Sequence, residues 1–165
     1  MARKRLLILL AVATALLVNS AWGQRERRSR PIPDTIRLEG GSRVEFREFA
    51  SAALDGTARY SVFLPPDYDQ SSNQRFPVIY VLHGMNNDHT TWTDSRYGNM
   101  PLLVESLLKS GNIPPFLMIH PYGENPFHTD YSDGTKKYEE FVNQDLRNEV
   151  ETKFRVKTDR LNRSL

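Results

Sequence analysis

The chain has 165 residues, 39% of them hydrophobic, which is enough for one domain with a core of ordinary size. Basic and acidic residues nearly balance at a net charge of +2, so nothing pulls the protein strongly toward nucleic acid. Cysteine is absent, which excludes lipoprotein attachment, disulfides and thiolate metal sites.

Residues 1–23 read as a secretory signal peptide. Arg3, Lys4 and Arg5 form a positive start, and the apolar run 6–18 is shorter than the roughly 20 residues needed to span a bilayer. Ala21 and Gly23 supply small residues at the cleavage positions, so cleavage is expected after Gly23, with an uncleaved anchor as the alternative. On this reading the mature protein is secreted or periplasmic and keeps no stable membrane anchor. Residues 24–41, carrying Arg25, Arg27, Arg28 and Arg30 before Pro31 and Pro33, are expected to form a flexible basic lead-in. That stretch is either a solvated tail or a contact for an anionic surface.

The domain is expected over 42–165. Segments 42–53 and 58–64 flank Asp55-Gly56, a tight-hairpin signal between two strands. Tyr60, Val62 and Leu64 alternate with Ser61 and Phe63, which suits a half-exposed antiparallel strand. Residues 78–82 form a short apolar run after Pro77, too short for a buried helix and rich in β-branched and aromatic residues. They read as a strand buried on both faces of a parallel sheet. It ends in His83-Gly84, which opens a polar loop running to Trp92 at the carboxyl edge of the sheet, where α/β proteins place their sites. In that loop Asn86, Asn87 and Asp88 are expected to satisfy their own backbone.

Asn99 is a helix cap with Pro101 in the first turn, and Leu103, Val104, Leu107 and Leu108 supply an apolar face. Lys109, Gly111 and Pro114 end that helix. A second short apolar strand spans 116–119 and closes on His120-Pro121. After a polar excursion at 124–135, residues 136–154 read as a helix with Val142, Leu146, Val150 and Phe154 spaced by four. A turn at 158–160 leads to 161–165, which look like the start of another strand. Alternating strands and helices imply an α/β protein with a mostly parallel sheet.

Several of these stretches taken together resemble a known group. Y-S-V-F-L-P-P-D-Y at 60–68 and F-P-V-I-Y-V-L-H-G-M at 76–85 are similar to the esterase branch of the α/β-hydrolases, which includes S-formylglutathione hydrolases, feruloyl and acetyl-xylan esterases and mycolyltransferases. P-Y-G-E-N at 121–125, T-D-Y at 129–131 and Y-E-E-F-V at 138–142 follow in the matching order, so the resemblance covers about 42–165. It implies an antiparallel hairpin followed by a parallel βαβα arrangement, the N-terminal portion of an α/β-hydrolase fold.

In such enzymes a serine on a G-x-S-x-G turn attacks the ester, a histidine takes its proton, an acid orients the histidine, and backbone N–H groups hold the oxyanion. The resemblance makes the Met85 N–H one oxyanion donor, with Gly84 letting the chain turn close to the substrate. His83 flanks that turn and is not the general base. His83, Asn86, Trp92 and Tyr131 are candidates for substrate contact; for Trp92 and Tyr131 the alternatives are an acyl or sugar pocket and simple packing of the loop.

No G-x-S-x-G occurs in the chain; Gly40-Gly41-Ser42 comes nearest and precedes the first expected strand. In the family the segment matching 161–165 leads into the nucleophile turn. The expectation is therefore a chain truncated before the nucleophile strand-turn-helix, without serine, acid or base, and inactive alone. None of His83, His89, His120 and His128 is expected to replace the base. No metal site is expected from His83, Asp88 and His89, whose spacing matches no ligand pattern, nor from Asp130 and Asp133. No cofactor is implied. Strand 78–82 is expected to be left as an aggregation-prone edge. The function expected is that of a secreted serine carboxylic-ester hydrolase acting on acyl, feruloyl or acetyl esters of carbohydrates. The alternatives are a non-enzymatic ester- or sugar-binding remnant or subunit, and a basic-tailed envelope protein. The oligomeric state is open.

Overall fold

The computed structural model describes residues 32–70, 72–123 and 128–165. The expected signal peptide, and Arg25, Arg27, Arg28 and Arg30 of the basic lead-in, lie outside these residues. Pro33–Leu165 forms one compact unit.

Six strands make a single sheet: β1 (Thr35–Arg37), β2 (Arg43–Ser51), β3 (Gly56–Leu64), β4 (Val78–Tyr80), β5 (Leu117–Pro121) and β6 (Arg163–Ser164), in the order β1-β2-β3-β5-β4-β6. The first pairings are antiparallel, through β3 with β5. From β5 to β4 to β6 the sheet is parallel. Short connections permit only the antiparallel kind, whereas each parallel step needs a crossover. Helix α1 (Met100–Lys109) makes the crossover from β4 to β5, and helix α2, continuous over 138–153, makes the one from β5 to β6.

Each helix covers one face of the sheet. On the α2 face lie Tyr60, Val62, Leu64, Val78, Tyr80, Leu117 and Ile119, packed with Tyr138, Phe141, Leu146 and Val150. On the α1 face Val44, Phe63 and Met118 pack with Val104, and Ile36, Phe46, Val81 and Leu108 flank them. Successive strand residues point to opposite faces, so this partition follows from the alternation along each strand.

Several expectations are corrected by this arrangement. Strand β3 is buried throughout 60–64, because β2 and β5 flank it and both faces are covered. The Asp55-Gly56 pair does not form a two-residue turn: Gly56 already pairs with Ser51, and 52–55 make the connection with Asp55 at φ 49°. Asp145 of α2 selects this longer tip by accepting from Ser51 Oγ at 2.7 Å and Ala53 N at 3.0 Å. The stretch expected to be flexible up to residue 41 contains β1, since Ile36 and Leu38 pack on the α1 face. The β1–β2 turn is tied to α1 by Glu105. This buried carboxylate accepts from Gly40 N and Ser42 N, each at 3.0 Å.

Strand β4 is three residues long, and Val81 continues it only through its N–H to Ile119 O at 2.8 Å. It is not the sheet edge, because β6 pairs beside it at Val78↔Arg163 and Ile79↔Ser164. Strand β5 runs two residues past its expected end and takes in His120 and Pro121.

In α1, Asn99 stands at the cap position but makes no side-chain cap bond. The buried stripe is Pro101, Val104 and Glu105, while Leu103 is 59% exposed, so the apolar face is rotated from the expected one. In α2 the residues Phe141–Leu146 form a π-helical stretch. The wider turn brings Phe141 and Leu146, five apart, to the same face, and Phe141 replaces Val142 as the fully buried residue. From Leu146 to Val150 to Phe154 the spacing of four holds as expected.

Candidate functional site

Strands β4 and β5 are parallel neighbours, so the segments leaving their carboxyl ends meet at one edge of the sheet. The first is the turn at 83–86 with the 3₁₀ turn Thr91–Thr93 after it; the second begins at Tyr122 and Gly123. Both ring nitrogens of His83 are used to join them. Gly123 N donates to His83 Nε2 at 3.1 Å, so Nε2 carries the lone pair. The proton therefore sits on Nδ1, which donates to Gly84 O at 2.9 Å. Burial holds the His83 pKa below its ordinary value; the Gly84 carbonyl opposes the shift and His128 adds to it. A neutral imidazole is what the geometry requires, because a proton on Nε2 would face the Gly123 N–H.

Gly84 O accepts a second bond, from Asn87 N at 3.2 Å. This sets the direction of the next donor. Gly84 C=O and Met85 N–H belong to one peptide unit, which is trans, as there is no cis bond among the described residues. In a trans unit the two groups point in opposite directions. With the oxygen held inward by His83 and Asn87, the Met85 N–H is turned away from them. Asn86 takes the left-handed conformation, φ 60°, that the turn demands, and asparagine tolerates it better than most residues. Gly84, Met85 and Asn86 are all exposed.

Beyond the turn, Asp88 Oδ1 accepts from Thr90 N at 2.7 Å and Thr90 Oγ1 at 2.6 Å, and Thr91 Oγ1 accepts from Asp88 N at 3.0 Å. Asp88 thus serves its own backbone, as its residue type suggests. Trp92 is half-buried within the 3₁₀ turn.

All four histidines converge on this edge. His128 Nε2 donates to His83 O at 2.8 Å, and the two rings stand 4.7 Å apart edge to face. His89 packs edge-on against Tyr122 at 5.7 Å, and Ser61 Oγ donates to its carbonyl at 2.7 Å. His120 is 3% exposed; burial first, then His89 and His83, push its pKa down to about 3. Burial also lowers His89, against the nearby Asp88. With their pKa values lowered, His83, His89 and His120 are neutral at pH 7, and the four rings serve as packing and backbone clamp. Among the described residues no three His, Cys, Asp or Glu side chains are grouped so as to hold a metal ion.

Tyr131 belongs to a different wall. A cleft of about 130 Å³ is lined by Leu54, Gly56, Thr57, Tyr122, Tyr131, Lys136 and Tyr138. It lies between the β2–β3 tip and the approach to α2. Of the expected substrate contacts, His83 and Asn86 therefore share the turn at 83–86 with Gly84 and Met85. Tyr131 lines the cleft, whose walls do not include Trp92. Sequence reasoning missed Tyr122, Leu54 and Lys136 as walls. The available hint was that His83 and His120 end adjacent strands, which puts the residues after each side by side.

The Putative esterase family profile matches residues 51–165. The endo-1,4-β-xylanase/feruloyl esterase of Xylanibacter ruminicola is 26% identical over 114 residues, covering 64% of this chain and 15% of that protein. A solved ferulic acid esterase superposes with a TM-score of 0.65 at 28% identity, over 74% of this chain and 47% of that one. A ferulic acid esterase of Anaeromyces mucronatus, solved with ferulic acid, gives a TM-score of 0.61 at 19% identity, over 82% of this chain and 54% of that one. The clamped turn at the carboxyl edge of a mixed sheet is thus set in an α/β-hydrolase framework, and the chain belongs to the Putative esterase family. It spans about half the length of these two solved esterases and 15% of the Xylanibacter ruminicola protein.

Proposed function

We propose that this segment supplies the oxyanion loop and part of the substrate wall of a secreted serine ester hydrolase acting on acyl, feruloyl or acetyl esters of carbohydrates. The nucleophile, its base and the orienting acid lie outside the 165 residues, so the chain alone does not turn over. The observation that carries the reading is the Gly84–Met85 peptide. Its carbonyl is tethered by His83 Nδ1 and Asn87 N, which leaves the Met85 N–H aimed away from the clamp. A donor held in place before charge develops needs no reorganisation as the tetrahedral oxyanion forms. The relatives' names support the ester chemistry, since feruloyl esterases recur among them. Secretion rests on the Arg3-Lys4-Arg5 and Ala21–Gly23 pattern of the leader.

The test has two arms. Purified, sequence-verified chain should hydrolyse p-nitrophenyl acetate no faster than an equal concentration of free imidazole. Turnover in the usual enzymatic range, about 1–1,000 per second, would show that the residues here suffice. The DNA beyond codon 165 is then read in all three frames. A G-x-S-x-G encoded there and rejoined in frame should restore activity, and Met85→Pro, which deletes the N–H, should lower kcat about 100–1,000-fold. An unchanged kcat in that variant would remove Met85 from the oxyanion hole.

A further inference from the structure

We infer that the cleft at the β2–β3 tip is a binding subsite for a neutral sugar ring. This deepens the ester-hydrolase reading by placing the carbohydrate part of its substrate, and it rests on that reading for its place in catalysis. The cleft, about 130 Å³, is smaller than the roughly 300–1,000 Å³ of drug-sized pockets, so the ligand inferred is a single ring. Its two sides are already held together. Lys137 N donates to Ala53 O at 3.1 Å, and Lys136 Nζ donates to Leu54 O at 3.0 Å. The far side is a closed turn in which Tyr131 N donates to Lys136 O at 2.8 Å and Gly134 N to Tyr131 O at 2.9 Å. Asp130 Oδ1 accepts from Glu139 N at 2.8 Å and secures that turn to the first residues of α2. A ligand entering therefore pays little to organise the walls.

The lining states the ligand's chemistry. Half-buried Tyr122 and Tyr131 present aromatic surface, buried Tyr138 backs them, and Leu54 adds an apolar patch. Thr57, the peptide groups at Gly56 and the half-exposed tyrosines place polar atoms around the rim. A planar phenol brings one or two polar atoms. A sugar ring brings C–H faces for the tyrosine rings and hydroxyls around its whole edge, which matches the alternation here. The Lys136 ammonium keeps its charge while donating to the Leu54 carbonyl, so it is the polar rim around the aromatic rings, and not a lack of charge, that favours a sugar.

Location ties the cleft to the reacting end. Tyr122 lines it, and the next residue, Gly123, donates to His83 Nε2 at the base of the oxyanion turn. Gly123 also has no room for a side chain, since a Cβ there would stand 2.9 Å from the Tyr138 ring. The wall and the clamp are thus consecutive in the chain.

The experiment is a titration of the isotopically labelled 165-residue chain followed by amide chemical shifts, which needs no catalysis. Xylobiose should shift Thr57, Tyr131 and Lys136 saturably in the millimolar range, and sodium ferulate should leave them in place. Tyr131→Ala should weaken xylobiose about fivefold, the loss of one aromatic contact. Thr57→Trp, at an exposed position, should block it by filling the cleft. Absence of saturable shifts, ferulate displacing xylobiose from these amides, or full affinity in both variants would overturn the proposal. Sugar binding by this chain together with a rejoined enzyme that cleaves no ester would keep the subsite and discard the hydrolase reading.

Discussion

At the scale of single residues, the histidines set the response to acid. His120 in the unfolded chain takes a proton near 6.5, but in the folded protein only near 3. The unfolded state therefore binds more protons between those values. His120's contribution to stability is complete above pH 6.5 and is lost as the pH falls from there toward 3. His83 and His89 are shifted in the same direction. The groups facing His120 are His89 and His83, both neutral at pH 7, so no carboxylate on it offsets the loss. Each such group steepens the fall by at most about 1.4 kcal/mol per pH unit. Urea unfolding followed by tryptophan fluorescence should show a midpoint that drops between pH 7 and pH 5. In His120→Gln, which cannot titrate, the drop should be smaller. An identical drop in both proteins would mean that His120 is already reachable by protons in the folded state.

At the scale of elements, two carboxylates on the helices hold the loops that flank the sheet. Glu105 receives the N–H groups of Gly40 and Ser42, and Ser42 is 1% exposed. Glu105→Ala strands both donors and should cost about 1–3 kcal/mol, whereas Glu105→Gln keeps one acceptor and should recover part of that. Equal stability of wild type and the alanine variant by denaturant unfolding would show that water replaces the carboxylate without loss.

Helix α2 offers a sharper test of register. Its π-helical stretch aligns Phe141 with Leu146. Deleting exposed Asn143 would relieve the wide turn, but it would rotate Tyr138 and Phe141 about 100° away from the core. The expected net effect is a loss of several kcal/mol, comparable to truncating one large core side chain. Retained or raised stability in the deletion would mean that the wide turn is not what seats Phe141.

At the scale of the whole molecule, the sheet ends on a two-residue strand beside apolar side chains. β6 pairs on its inner side with β4, and Leu161 and Leu165 are 96% and 76% exposed. Leu102 and Leu103 of α1 are also exposed. A short open edge next to uncovered leucines favours pairing with other chains. Gel filtration of the 165-residue chain should show association that grows with concentration. The double variant Leu161→Lys, Leu165→Lys should reduce it, because charge at an edge opposes strand addition. A concentration-independent monomer would contradict this.

The residue order by itself determined most of the strands, both helices and where the carboxyl edge falls. Apolar runs of 78–80 and 117–119 and the spacing from Leu146 to Phe154 are local patterns, and local geometry reads them directly. The polar loop opened by His83-Gly84 is legible for the same reason, whereas the part given to Met85 came from the family resemblance. Only the tertiary structure decided that β3 lies inside the sheet, that β1 belongs to it, that the α1 stripe runs through Val104 and Glu105, and that Tyr122 and Tyr131 share a cleft. Each of these depends on which distant segment comes to lie alongside. That outcome is set by the summed burial of both faces of the sheet, which no local window of sequence contains.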